Sequence, residues 1–231
     1  VTGNDGAGDG RATRWAGQRA KRRAEIVAAA LDAIKAHGPG VSTEQIAAGA
    51  GIARTRLYRH FDDADDLYDA VAQGAAQAII ERMVLTFASP RGSAQDLITK
   101  SVRTYVAWLI ENHALYQYVV LRTVDAVSGR DPLIVDVRAA ISAPMRSLLA
   151  GYLGVFGQDP AIADPIAFGI TGLVESATNR WLAHPGPLDL DALVGNLSGW
   201  VWGVLDAALR NLGIQMDPTA PLPEVAGESP A

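Results

Sequence analysis

Apolar positions near the start of the chain repeat with the period of an α-helix. Ile26, Val27, Ala30, Leu31 and Ile34 share one face, which predicts a helix from about Arg19 to His37. His37-Gly38-Pro39-Gly40 ends it, because glycine takes a left-handed C-cap and proline cannot continue the hydrogen-bond ladder. Ser42 followed three residues on by Gln45 is a capping-box pattern, in which hydroxyl and amide satisfy free N–H groups reciprocally, and it starts a short helix over Thr43 to Gly49. Ala50-Gly51-Ile52 makes a tight turn, and Ala53 to Phe61 supplies a third short helix. Two short helices about a glycine turn read as a helix-turn-helix, with Ile46, Ala47, Ile52, Leu57 and Phe61 facing inward.

Every later segment also reads helical. Asp65 to Ala88 turns Leu67, Val71, Ala75, Ala78, Ile79, Met83 and Phe87 inward, and Ser89-Pro90-Arg91-Gly92 breaks it. Ala94 to Glu111 carries Leu97, Ser101, Tyr105, Trp108 and Leu109 on one stripe, and His113 to Val127 follows with Leu115, Tyr118, Val119 and Arg122. Asp131-Pro132, an N-cap with proline at the first helical position, opens a helix to Phe156 that Pro144 is expected to kink. Asp164-Pro165 repeats the device for a helix to Ala183, and Leu190 to Leu212 is the last helix. No strand pattern, repeat or heptad appears, so the fold class is all-α: a three-helix head and a larger helical body.

Composition narrows the chemistry. At 231 residues, 49% hydrophobic and 19% charged, the chain is apolar enough to form a core and too evenly mixed for a membrane protein. The absence of cysteine excludes disulfides, thiolate metal sites and a cysteine nucleophile, and four histidines leave little for a metal; neither metal nor cofactor is expected. No P-loop, His-Glu-x-x-His, Gly-x-Ser-x-Gly or Glu-x-x-His motif is present, so catalysis is not expected. Val1 to Gly10 has no apolar signal region, which predicts a cytoplasmic protein. The most apolar late run, Leu197 to Leu209, contains Ser198 and Asp206 and is shorter than the ~20 residues of a membrane span, so no membrane partner is expected.

Charge separates head from body. From Arg11 to Phe61 ten Lys/Arg face three acids, whereas residues 62–231 hold ten basic and twenty acidic groups within a net charge of −5. A basic head on an acidic body suits a polyanion, since Lys and Arg displace condensed counterions from phosphates. Solvated helix charge gives the same count.

The stretch from Arg22 to Val71 resembles the DNA-binding end of TetR-family transcriptional regulators. The motif is Ile46-Ala47, Ala50-Gly51-Ile52, then Leu57-Tyr58-Arg59-His60-Phe61 and Leu67, preceded by the capped Ser42. The resemblance implies a flexible basic arm (1–18), a DNA-binding domain (19–64), a helical ligand-binding and dimerisation domain (65–212) and a Pro-rich tail (213–231) that frays. It implies a third helix in the major groove, with Arg54, Thr55, Arg56 and Arg59 near base edges and a G/C-containing operator. Tyr58 and His60 match phosphate-gripping positions, and the Ser42-Thr43 end of the second helix faces the backbone. Two positions depart from the family pattern: Ala53 replaces the usual serine cap, and Ala64 the usual lysine. Arg11, Arg14 and Arg19 on the arm are the compensating contacts.

One recognition helix covers one half-site, so a palindromic operator needs a homodimer. The resemblance assigns it to the last two helices, where Gly169, Gly172, Gly195, Gly199 and Gly203 are unusual for helix interiors. Intramolecular packing is the other reading of those glycines. An effector pocket is implied in the body, and Met83, Phe87, Leu97, Ser101, Tyr105, Trp108, Tyr118, Leu121, Val137, Ile141, Met145, Tyr152, Phe156 and Trp181 are its candidates, with Arg122, Glu175 and Asn179 as polar anchors. The same stripes fit plain core. Few charges fall on them, which suits a hydrophobic or amphipathic effector of lipid or acyl type. The expectation is a ligand-responsive repressor; the alternatives are a drug-efflux regulator answering lipophilic drugs and a nonspecific architectural DNA binder.

Overall fold

Local signals start most of the helices where the sequence places them. The structure, a computed structural model, describes residues 6–88, 90–125, 133–184 and 186–223; within the helices the side chains of 6–16, 121–125 and 133–137 lie outside that description. Nine α-helices occur among the described residues: α1 (Gly6–His37), α2 (Thr43–Gly49), α3 (Arg54–Leu57), α4 (Ala64–Phe87), α5 (Ala94–Glu111), α6 (His113–Asp125), α7 (Leu133–Val155), α8 (Ala163–Ala183) and α9 (Leu190–Asn211). They form two compact units, Val1–Ala76 with Ala114–Arg130 and Gln77–His113 with Asp131–Ala231, the division falling inside α4.

In the first unit Ile26, Ala30 and Ile34 of α1, Ile46 of α2, Leu57 of α3, Phe61, and Leu67 and Val71 of α4 are wholly buried. Side chains of the size of Ile, Leu and Phe each gain about 1.5–3 kcal/mol on leaving water. Gly74 marks a close approach of α4 to α1: a Cβ there would lie 2.7 Å from Val27 Cγ1. Tyr118 of α6 is buried edge-on to Tyr68 of α4, ring centroids 6.1 Å apart.

In the second unit the Ser93/Asp96 capping box starts α5: Ser93 Oγ accepts from Asp96 N at 3.1 Å, and Asp96 Oδ2 accepts from Ser93 N at 3.0 Å. Helix α7 packs on α8, α5 on both α8 and α9, and α8 on α9.

Several boundaries differ from the sequence reading. The first helix begins at Gly6, so the described part of the arm is helical in backbone, despite four glycines between Gly6 and Gln18 that disfavour a helix. The third helix keeps only four α-helical residues. Ala53 provides no side-chain cap, and beyond Leu57 bonding tightens to i→i+3, with Arg59 N donating to Arg56 O and His60 N to Leu57 O. Ala78 is exposed. The Asp-Pro start of α8 lies one turn earlier than expected: Asp159 caps a 3-10 turn (Pro160–Ile162) that runs into α8, leaving Asp164 and Pro165 inside its first turn. Pro144 is accommodated within a continuous α7.

Two larger differences involve the C-terminal region. Helix α9 has 22 residues and a mean hydropathy of 1.2 in its most apolar window, long and apolar enough by length and composition to cross a membrane, whereas the sequence reading judged the run too short. The reading ended that run at single polar residues, which a helix carries on one face. Leu193, Val194, Leu197, Ser198 and Val201 form the buried face of α9. The tail does not fray at Gly213: residues up to Pro223 return across the start of α5, because their N–H and C=O groups find partners there.

Candidate functional sites

In the first unit, Ser42 Oγ accepts from Gln45 N at 3.2 Å and Gln45 Oε1 from Ser42 N at 2.8 Å, so α2 is fixed at its start by its own residues. Thr43, behind this cap, is buried. Arg23 of α1 clamps the motif from the other side. Its guanidinium pairs with both carboxylate oxygens of Asp66, donates to His60 O at 3.0 Å and lies 4.3 Å over the Phe61 ring. Asp66 also accepts from Asp62 N, and the Arg23 hydrogen bond holds its carboxyl well below the usual range, at about 2. Arg22 pairs with Glu25 at 2.6 Å and donates to Ala50 O at 3.3 Å. These cations of the basic head therefore brace the fold.

The exposed edge is formed by Arg54, Thr55, Arg56, Tyr58 and Arg59, with His60 half-buried behind them. Arg54 pairs with Glu44, whose carboxyl is lowered first by its own backbone N–H and further by the Arg54 charge. Both partners are exposed and screened by water, so exchange for a phosphate or base is inexpensive. Arg56 and Arg59 have no ion pair among the described residues. His60 Nδ1 is buried without a hydrogen-bond partner there. Arg19 is exposed and 3.8 Å from Asp62.

In the second unit a cavity of about 140 Å³ lies among α4, α5, α7, α8, α9 and the returning tail. Its walls carry Met83, Phe87, Leu97, Ser101, Tyr105, Ile141, Met145, Tyr152, Phe156, Ile170, Val174, Trp202, Leu205, Leu209, Met216 and Leu222. The wall is almost wholly apolar, and its aliphatic hydroxyls are engaged internally: Ser101 Oγ donates to Leu97 O at 2.7 Å and Thr171 Oγ1 to Ala167 O at 2.9 Å. Tyr152 is half-buried, and that burial pushes its phenol upward, keeping it a neutral donor. No group of three His, Asp or Glu is placed to hold a metal among the described residues.

Residues 26–71 match the family model described as bacterial regulatory proteins of the tetR family. Over 197 residues the chain is 28% identical to an uncharacterized HTH-type transcriptional regulator of Mycobacterium tuberculosis, covering 85% of this chain and 82% of that protein. The family-model match places a tetR-family DNA-binding segment at residues 26–71. The fold of the chain is similar to a tetR-family transcriptional regulator from Streptomyces coelicolor, with a TM-score of 0.63 at 24% identity and 83% of each chain covered. It is also similar to FadR from Bacillus subtilis, solved with stearoyl-CoA, with a TM-score of 0.56 at 18% identity over 77% of this chain and 96% of that one.

The cavity gathers nine of the sequence candidates: Met83, Phe87, Leu97, Ser101, Tyr105, Ile141, Met145, Tyr152 and Phe156. Five others lie elsewhere. Trp108 is buried in core, and Tyr118 packs on Tyr68 in the first unit. Glu175 is buried against Arg138, whose Nε donates to it at 2.8 Å, because a buried carboxylate needs a counter-charge more than a ligand needs an anchor. Asn179 Nδ2 donates to Glu175 O at 2.9 Å. Trp181 donates to Leu188 O at 2.8 Å and is not in the wall. The side chains of Arg11, Arg14, Leu121, Arg122 and Val137 lie outside the described residues.

Sequence reading missed the share of the wall that comes from α9 and the tail. Trp202, Leu205 and Leu209 follow i, i+3 and i+7 spacing, a signal present in the sequence of a helix that the resemblance assigns to dimerisation. Met216 and Leu222 follow no period.

Proposed function

We propose that this regulator binds a palindromic operator as a homodimer and changes its grip on DNA when a hydrophobic or amphipathic molecule of acyl type occupies the second-unit cavity. The wall carries the reading: a nearly all-apolar, part-open cavity with one half-buried phenol suits an acyl chain and offers no counter-charge to an ionised head group. The fold relative solved with stearoyl-CoA supplies the first compounds to test.

DNA is read by the exposed edge. Arg56 and Arg59, with Arg54 once released from Glu44, approach base edges, Tyr58 and His60 grip phosphates, and Ser42 and Thr43 hold α2 in place behind them. Dimerisation uses α8 and α9. Trp200 and Val204 are 53% and 44% exposed beside Gly195, Gly199 and Gly203, none of which has an atom within 4 Å of where a Cβ would stand. Helix α4 carries core residues of the first unit and, at Met83 and Phe87, cavity wall in the second, so one continuous helix joins the two functions. An occupant that favours a dimer less suited to DNA weakens operator binding by the same factor.

The test is fluorescence anisotropy with DNA upstream of the regulator's own gene, across salt, against a scrambled duplex, with and without stearoyl-CoA. Preference that survives at ~200 mM salt supports specific reading, and binding that collapses equally on both duplexes points to an architectural protein. Loss of operator binding on adding stearoyl-CoA supports release by ligand; unchanged binding with demonstrated DNA specificity removes the acyl assignment.

A further inference from the structure

The cavity has one wall that is not a helix. After α9 the chain turns at Gly213 (φ +76°), whose N–H donates to Arg210 O at 2.9 Å. Asp217 then organises a second turn by accepting from Thr219 N at 2.8 Å and from Thr219 Oγ1 at 2.7 Å. The returning strap is tied to the start of α5 at two places. Gln95 N donates to Pro218 O at 2.9 Å, and Leu222 N donates to Gly92 O at 3.0 Å, closing an isolated antiparallel bridge between Ser93 and Pro221. Through these ties Met216 and Leu222 are set into the cavity wall. Pro218, Pro221 and Pro223 keep the strap stiff and leave it short of donors, so the pairing cannot extend into a sheet.

Size gives this wall a purpose. A cavity near 150 Å³ holds a molecule about as large as benzene, so the present space of about 140 Å³, part-open beside the exposed Phe156 and half-buried Trp202, does not enclose a long acyl chain. Enclosing the whole chain needs a wall to move. The helical walls are held by extensive packing, whereas the strap is attached by two backbone hydrogen bonds, one of them closing the Ser93–Pro221 bridge, with a left-handed glycine at its base.

We propose that Gly213–Pro223 is a latch on the cavity: it swings about Gly213 to admit a chain-like apolar ligand and closes with Met216 and Leu222 against it. The proposal rests on the reading that the cavity binds such ligands. It makes the tail a determinant of ligand exchange rate and of the longest chain accepted.

The protein has no cysteine, so S93C/P221C in the full chain creates a single disulfide across the bridge. Directly opposed antiparallel residues have Cα atoms about 4.5–5.5 Å apart, within disulfide reach. The probe is cis-parinaric acid, an eighteen-carbon fluorescent fatty acid, followed by stopped-flow binding and displacement. Comparing oxidised and reduced forms of the same protein cancels any effect of replacing the Ser93 cap, and mass spectrometry confirms the bond. The latch predicts entry and release slower by about tenfold or more when oxidised, and release several-fold faster than wild type in Leu222→Ser. Equal rates in the two redox forms overturn the latch and leave the cavity reading standing. No saturable binding by the wild-type chain overturns both.

Discussion

Replacing Gly199 by leucine separates folding of the chain from its assembly. In the single chain nothing lies within 4 Å of a Cβ at this position, and the same holds for Gly195 and Gly203 one turn to either side. The side chain therefore enters open space, and removing glycine from a helix interior favours α9 by roughly 0.5–1 kcal/mol. In the proposed dimer that space is filled by the partner's helix. Overpacking a close contact costs about 1–3 kcal/mol, and two-fold symmetry places the substitution on both sides of one interface, so the penalty is about 2–6 kcal/mol per dimer. The dimer Kd is then weaker by about 30-fold to 10⁴-fold. Sedimentation equilibrium reads the Kd, circular dichroism reads helix content, and Gly17→Leu is the control, since Gly17 on α1 also has open space. G199L that keeps its helix content but sediments as a monomer is the expected result. A variant that stays a dimer with unchanged Kd refutes the α9 glycine face as the interface.

Asp66 provides a pH-dependent brace. Its carboxyl, held at about 2 by Arg23 against an ordinary value of 3.8, contributes stability in full above the unfolded pKa and loses it as pH falls from about 4 toward 2. Allowing for its partial exposure, Asp66→Asn should cost about 1–2 kcal/mol in urea unfolding at pH 7 and almost nothing near pH 2. Val102→Phe narrows the cavity from α5, so parinarate affinity should fall more than tenfold while the unfolding temperature changes by only a few degrees, because the existing void of about 140 Å³ absorbs much of the ring. Arg56→Ala and Arg59→Ala should each cost about 1–3 kcal/mol on operator DNA and much less on a scrambled duplex; equal losses on both would make them phosphate contacts. Removing residues 1–18 should lower the salt slope if Arg11 and Arg14 reach the backbone, and an unchanged slope removes the arm from the interface.

The sequence by itself determined what short-range forces control. Ser42 with Gln45, Ser93 ahead of α5, Gly38 after α1 and the apolar period of Ile26, Ala30 and Ile34 act within one or two turns of chain, and the helices begin or end where those residues stand. The glycine turn at Gly51 made the helix-turn-helix legible for the same reason. Partnerships between distant residues were decided only in the folded chain. Arg23 is one more basic residue in the sequence until Asp66, 43 positions away, takes it out of the DNA-facing set. Glu175 looks like a ligand anchor until Arg138 of α7 neutralises it. Apolar stripes carry no label for their occupant: Trp108 and Tyr118 went to core, Tyr105 and Tyr152 to the cavity wall. The tail, with too few apolar residues to show a period, became wall because Gly92, Ser93 and Gln95 offered it backbone partners. Caps and periods are local free energies that a chain expresses wherever it is. Ion pairs, cavity walls and straps depend on which elements meet, and only the tertiary structure supplies that.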